Sequence, residues 1–178
     1  MAQWIHLFSL CFHKEVTLVK GKLLAVIPRV SAEWSLTYSM NLKSLQASMI
    51  PATYNFCSLA MLSTHGSPEI YGSRSPFHYL KINTDTFEMK FASAINSVTT
   101  YRLMSELPKV GEWEHYEFHQ RYVSGGNYRF FIKMNGEEVF SITNTDAQQF
   151  YNMKVYAGNL LHPACPADIK NLELTNFL

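Results

Sequence analysis

Charge, cysteine and helical patterning are all scarce in this sequence, and each shortage removes a class of protein. Only 16% of its 178 residues are Asp, Glu, Lys or Arg, against roughly 25% in an average soluble domain. Fifteen basic residues against fourteen acidic ones leave a formal charge of +1. No segment gathers Lys and Arg into the stripe that a nucleic-acid footprint needs, so nucleic acid is set aside as a partner. The three cysteines, Cys11, Cys57 and Cys165, are too few for a disulfide scaffold and lack the paired spacing of a zinc site. Either Cys57 and Cys165 form a pair, or Cys57 is a buried free thiol in its apolar run; the sequence leaves both open. There is no Asn-x-Ser/Thr acceptor, so glycosylation lends no support to secretion. No stretch is long and apolar enough for a membrane-spanning helix. The opening residues Met1 to Phe12 are apolar but lack a basic n-region. They read either as a signal-peptide remnant or as a first strand, with Trp4, Leu7 and Phe8 over one end of the core.

What is present favours strands. The chain is 47% hydrophobic and 14% aromatic, a composition suited to two packed layers. From Glu33 to Lys43, Trp34, Leu36, Tyr38, Met40 and Leu42 alternate with Ser35, Thr37, Ser39 and Asn41, the pattern of a half-buried strand. Tyr128, Phe130, Ile132 and Met134 repeat it before Asn135-Gly136 and the run Val139 to Ile142. Asn-Gly between two such runs is a strong hairpin signal, because both residues tolerate positive φ. Ser124-Gly125-Gly126-Asn127 marks a second turn, which joins Trp113–Val123 to the Tyr128 strand and makes a meander. Further strands are predicted over 16–19, 23–27, 54–62, 78–82, 87–92, 98–103, 153–157 and 169–177. Leu45 to Ile50 and Thr145 to Tyr151 each have the pattern of a helical turn. The fold class is all-β, with residues 14–178 as one domain.

Several segments resemble a known family. Lys20-Gly21-Lys22-Leu23-Leu24 with Ile27-Pro28 and Glu33-Trp34-Ser35-Leu36 resembles the opening of concanavalin A-like lectin/glucanase domains, which include laminin G-like and pentraxin-like modules. Trp113 to Phe118, the hairpin at Asn135-Gly136 and the closing run Phe150 to Gly158 with Ile169 to Leu172 are similar to the later strands of such modules. The resemblance covers Lys14 to Phe177. It implies a two-sheet antiparallel β-sandwich, a jelly roll, that recognises glycans, extracellular proteins or matrix, in some members through calcium. No local cluster of oxygen ligands carries that calcium site here; Asp85, Asp146 and Asp168 are dispersed. The hairpin Phe131 to Phe140 also looks like that of galectins, but the sugar-contacting motifs of galectins are absent.

Candidate chemistry falls in two places. Glu112, Glu114 and Glu117 faintly resemble the carboxylate motif of glucanases on this fold, where two carboxyls roughly 5 Å apart on one strand face would be needed. His115, Glu117 and His119 share a strand face and have the residue types of a metal site. Both patterns are equally those of a solvated strand face. The irregular stretch Thr64 to Pro76 is the better place for a ligand, because long loops on rigid sheets carry binding function. Tyr71, Arg74, Phe77 and His78, in and beside it, supply aromatic bodies with polar tips for a sugar ring or a protein contact. The expectation is a secreted or extracellular, non-catalytic recognition module, with no cofactor, whose partner is a glycan. The alternatives are a protein-interaction, structural or adhesion domain, self-associating through a sheet face, and thirdly a glycoside hydrolase.

Overall fold

The computed structural model describes residues 6–46, 54–64, 77–83 and 86–177. Its strands are β1 (His6–Phe12), β2 (Val16–Thr17), β3 (Leu23–Val30), β4 (Glu33–Leu42), β5 (Phe56–Ser63), β6 (Phe77–Asn83), β7 (Thr86–Ile95), β8 (Val98–Ser105), β9 (Trp113–Ser124), β10 (Asn127–Met134), β11 (Glu137–Asn144), β12 (Phe150–Ala157) and β13 (Ala167–Phe177). They form two antiparallel sheets. The large sheet runs β1-β13-β4-β9-β10-β11, with β2 also on β13, and the small sheet runs β3-β12-β5-β6-β7-β8. The chain is thus an all-β sandwich, as its alternation requires.

Local chemistry explains the turns. Asn135 and Gly136 take φ of 51° and 87°, the left-handed pair that closes a two-residue hairpin without splaying its strands. Asn96 and Ser97 do the same between β7 and β8, at 52° and 64°. Nothing as plain as Asn-Gly announces that second turn. It is held from outside, where the Asp146 carboxylate accepts from the Asn96 and Ser97 amides at 3.0 and 2.7 Å. That duty also corrects the helical turn expected over 145–151. The Asn144 side chain accepts from the Asp146 amide at 3.2 Å, the local bond by which Asn diverts the backbone from helix, and β12 begins at Phe150. Of the segment 45–50, residues 47–50 lie outside the described residues, and Leu45 and Gln46 are not helical.

Trp34, Leu36, Tyr38, Met40 and Leu42 of β4 meet Tyr116 and Phe118 of β9, Phe130 and Ile132 of β10, and Leu59, Leu80, Met89 and Phe91 of the small sheet in one buried core. Rings stack through its middle, Tyr38 lying 5.7 Å from Tyr116 and 6.1 Å from Phe118 between centroids. Cys57 in β5 is bonded to Cys165 in the β12–β13 connection, with 4.9 Å between Cα atoms and 108 residues between them in sequence, which settles the alternative the sequence left open. Cys11 is free and exposed.

Candidate functional site

The outer face of the large sheet is the most chemically loaded surface described. Its central strand β9 points Tyr116 and Phe118 into the core and leaves Trp113, His115, Glu117, His119 and Arg121 on the opposite side. The row is about 26 Å long at ~3.3 Å per residue. Register places Ser35, Thr37 and Ser39 of β4 along one flank and Phe131 and Lys133 of β10 along the other.

Three aromatic rings described on this face each carry a cation. Arg121 lies 3.6 Å from the Phe177 centroid, Lys170 3.8 Å from Trp113, and Arg129 4.7 Å from Phe131. His119 stacks on Phe131 at 4.5 Å with the rings 16° from parallel. Rings so covered hold charged groups in place instead of offering bare platforms for neutral sugars.

His119 sits between a carboxylate and a guanidinium. Its Nε2 is 2.8 Å from Glu117 Oε2, and its Nδ1 is 3.5 Å from Arg121 Nη2. With Nε2–H donating to Glu117, the Nδ1 lone pair faces Arg121. Burial lowers the His119 pKa, against the raising effect of the Glu117 bond, and Arg121 and Lys133 lower it further. Burial alone would raise Glu117, but the hydrogen bond from His119 and the neighbouring cations outweigh it and bring the carboxyl down. For this pair we take a neutral imidazole beside an ionised carboxylate, because burial of the ring is the largest effect. Burial lowers the Arg121 pKa also, offset by Glu33, and Arg121 Nη1 is buried without a hydrogen-bond partner.

The sequence-predicted sites fare differently. Tyr71 and Arg74 lie outside the described residues, and Phe77 opens β6. His78 is corrected: its side chain is 1% exposed, where it accepts from the Tyr38 hydroxyl at Nδ1 and meets Met89 Sδ through Nε2. β6, which begins at Phe77, turns this ring into the core. The glucanase carboxylates are not assembled. Glu112 precedes β9, Glu114 turns inward to take the Tyr116 hydroxyl at 2.7 Å and the Lys109 amide at 3.2 Å, and Glu117 lies on the other face. The His115–Glu117–His119 row exists, but Glu117 binds His119 directly, and no group of three His, Cys, Asp or Glu among the described residues is placed to hold a metal. Sequence reasoning missed Arg121, which continues the face of β9, and Phe131 and Lys133, which join the row only through strand pairing.

At the Trp113 end a groove of about 810 Å³ opens, lined by Glu106, Leu107, Glu112, Glu114 and Glu137 among others. Its carboxylates make that end unsuited to a polyanion, whereas Lys133 stands beside Glu117 midway along the row and Arg121 at its other end.

No family model and no curated protein matches the chain in sequence. Solved structures do match in fold. A mutant of alginate lyase Aly36B in complex with alginate tetrasaccharide superposes with a TM-score of 0.56 at 13% identity, over 91% of this chain and 79% of that one. Endo-β-1,4-glucuronan lyase from the fungus Trichoderma reesei gives 0.50 at 11%, over 95% and 76%. The botulinum neurotoxin type G receptor binding domain gives 0.56 at 9%, over 95% of this chain and 47% of that one. At such identities the likeness is one of fold. The chain has the β-sandwich on which polysaccharide lyases are built. The expectation of a non-catalytic module, drawn from the lectin-like resemblance, is therefore corrected: the solved structures that share this sandwich include alginate and glucuronan lyases.

Proposed function

We propose that the protein binds an acidic polysaccharide across the outer face of the large sheet and cleaves it by β-elimination at His119. The observation that carries the reading is the row Glu117–His119–Arg121, a neutral imidazole oriented by a carboxylate and facing a guanidinium. In this scheme a uronate carboxylate lies against Arg121 and Lys133, whose positive charge makes the C5 proton more acidic. Drawn onto that carboxylate, Arg121 releases the His119 Nδ1 lone pair, which takes that proton; the C5 electron pair forms the C4=C5 double bond, and the bond from C4 to the glycosidic oxygen breaks. The imidazolium, held by Glu117, returns the proton to the departing oxygen and is neutral again. The likeness to alginate and glucuronan lyases supports the substrate class. The Cys57–Cys165 bond supports an extracellular setting, since such bonds persist in oxidising compartments.

The test is incubation with alginate, glucuronan and a neutral glucan, with calcium and with chelator, following the ultraviolet absorbance of the unsaturated product. The expected result is product from a uronate polymer alone and none from an Arg121→Ala variant. Binding without product overturns the elimination, and no binding to any polymer overturns the glycan reading.

A further inference from the structure

The Trp113 half of the β9 row carries a second constellation, around a base that the elimination does not use. Register sets Ser39 of β4 directly opposite His115 of β9, and both side chains stand on the outer face of the large sheet. Ser39 Oγ lies 3.3 Å from His115 Nδ1. Across the ring, His115 Nε2 lies 4.0 Å from Glu117 Oε1. The carboxylate is shared, since its second oxygen is the one that binds His119 at 2.8 Å. A hydroxyl, an imidazole and a carboxylate thus follow one another in the order of a nucleophile, its base and the group that orients the base.

The backbone holds this arrangement in place. The His115 amide donates to Asn135 Oδ1, and the Asn135 amide to the His115 carbonyl, both at 2.8 Å. With Nε2–H directed at Glu117, the Nδ1 lone pair is left for the Ser39 hydroxyl proton. The 4.0 Å gap to Glu117 is that of a loose pair, of the kind that tightens when substrate binds. Ser39 is half-buried and the His115 side chain is 43% exposed, so a carbonyl reaches the hydroxyl from the solvent side. On the flank of Ser39 away from His115, β13 places Lys170, whose ammonium over Trp113 brings positive charge for an oxyanion. The groove beyond Trp113 sets Glu106, Glu112, Glu114 and Glu137 against Lys109, which disfavours an anionic acyl group or a long apolar one. A short, uncharged acyl ester is the class that fits.

We propose that Ser39, His115 and Glu117 form a hydrolytic triad that removes short acyl esters, such as an acetyl group on a sugar hydroxyl. Ser39 Oγ attacks the ester carbonyl while His115 Nδ1 takes its proton, and the imidazolium passes that proton to the departing alkoxide. Water, deprotonated by the same nitrogen, then cleaves acyl-Ser39 to the free acid and restores the hydroxyl. The test treats the full chain with p-nitrophenyl acetate and, separately, with a fluorophosphonate probe. The expected results are a burst of p-nitrophenol, an acetyl group on Ser39 in peptide mass spectra after acid quench, and the probe on the same residue. Ser39→Ala is expected to abolish the burst and both labels, and His115→Ala to slow turnover by about 10²–10⁴-fold, with both variants melting as the wild type does. Steady hydrolysis without a burst, which an exposed imidazole gives by itself, overturns the proposal. So does labelling at another residue, or a burst that survives in Ser39→Ala. No uronate polymer enters this experiment, so its outcome is independent of whether elimination is found.

Discussion

The outer faces of the two sheets are opposites. On the large sheet, β4 and β9 alternate apolar and polar residues in sequence, and β9 alternates buried and half-buried positions from Trp113 to Arg121, leaving His115, Glu117, His119 and Arg121 on the outer face beside Thr37 and Ser39 of β4. On the small sheet, β5 is buried at seven successive positions from Cys57 to Ser63. Met61, Tyr79, Ala92 and Tyr156 form a second apolar cluster there, apart from the main core and packed by Phe56. Strict alternation is the mark of a sheet face left to water, and a continuous apolar run is the mark of a strand covered on both sides. Ligand chemistry therefore collects on the large sheet, where polar groups stay accessible and are held by neighbours.

That contrast is broken most severely at the site. His119→Ala is expected to lower the elimination rate by about 10²–10⁴-fold, the usual contribution of a positioned base, with the melting temperature nearly unchanged; a rate equal to wild type would separate the row from catalysis. On the inner side of the same strand, Phe118→Ala is expected to cost about 3–5 kcal/mol in urea unfolding, because Phe118 is fully buried. Cys165→Ser is expected to cost about 2–5 kcal/mol, read as a lower thermal midpoint that reductant reproduces in the wild type.

Acid sharpens the comparison. Burial holds the His78 pKa well below its ordinary value of 6.5, so below that pH the unfolded chain takes up a proton that the folded chain refuses. His78 thus leaves stability unchanged above about pH 6.5 and lowers it by about 1.4 kcal/mol per pH unit below that, until the folded-state pKa is reached. Urea midpoints measured across this range are expected to show the slope in the wild type and to lose it in His78→Gln. At the small end, Thr37→Val on the outer side of β4 is expected to move stability by no more than about 0.5 kcal/mol, measured in the same way.

The fold was legible wherever one strand carried its own signal. The alternation of β4 and the Asn135-Gly136 and Gly125-Gly126 turns are local, and a single segment decides each. The Asn96-Ser97 turn was not legible, because its stabilising carboxylate, Asp146, is 50 residues away in sequence from Asn96. His78 was misplaced for a related reason: which way the first residues of a strand face depends on register with β5 and β7, and the loop preceding β6 says nothing of it. His115, Glu117 and His119 were visible as one face. Arg121 continues that face, but its meaning comes from Phe177, at the far end of the chain, and from the lone pair of His119.

The most direct test is a structure of the His119→Ala variant with a uronate oligosaccharide. The account predicts the sugar along β9 on the outer face of the large sheet, with a carboxylate against Arg121 and the C5 carbon beside the space the imidazole has left. An oligosaccharide seated on the small sheet, or in the carboxylate-lined groove beyond Trp113, would contradict it.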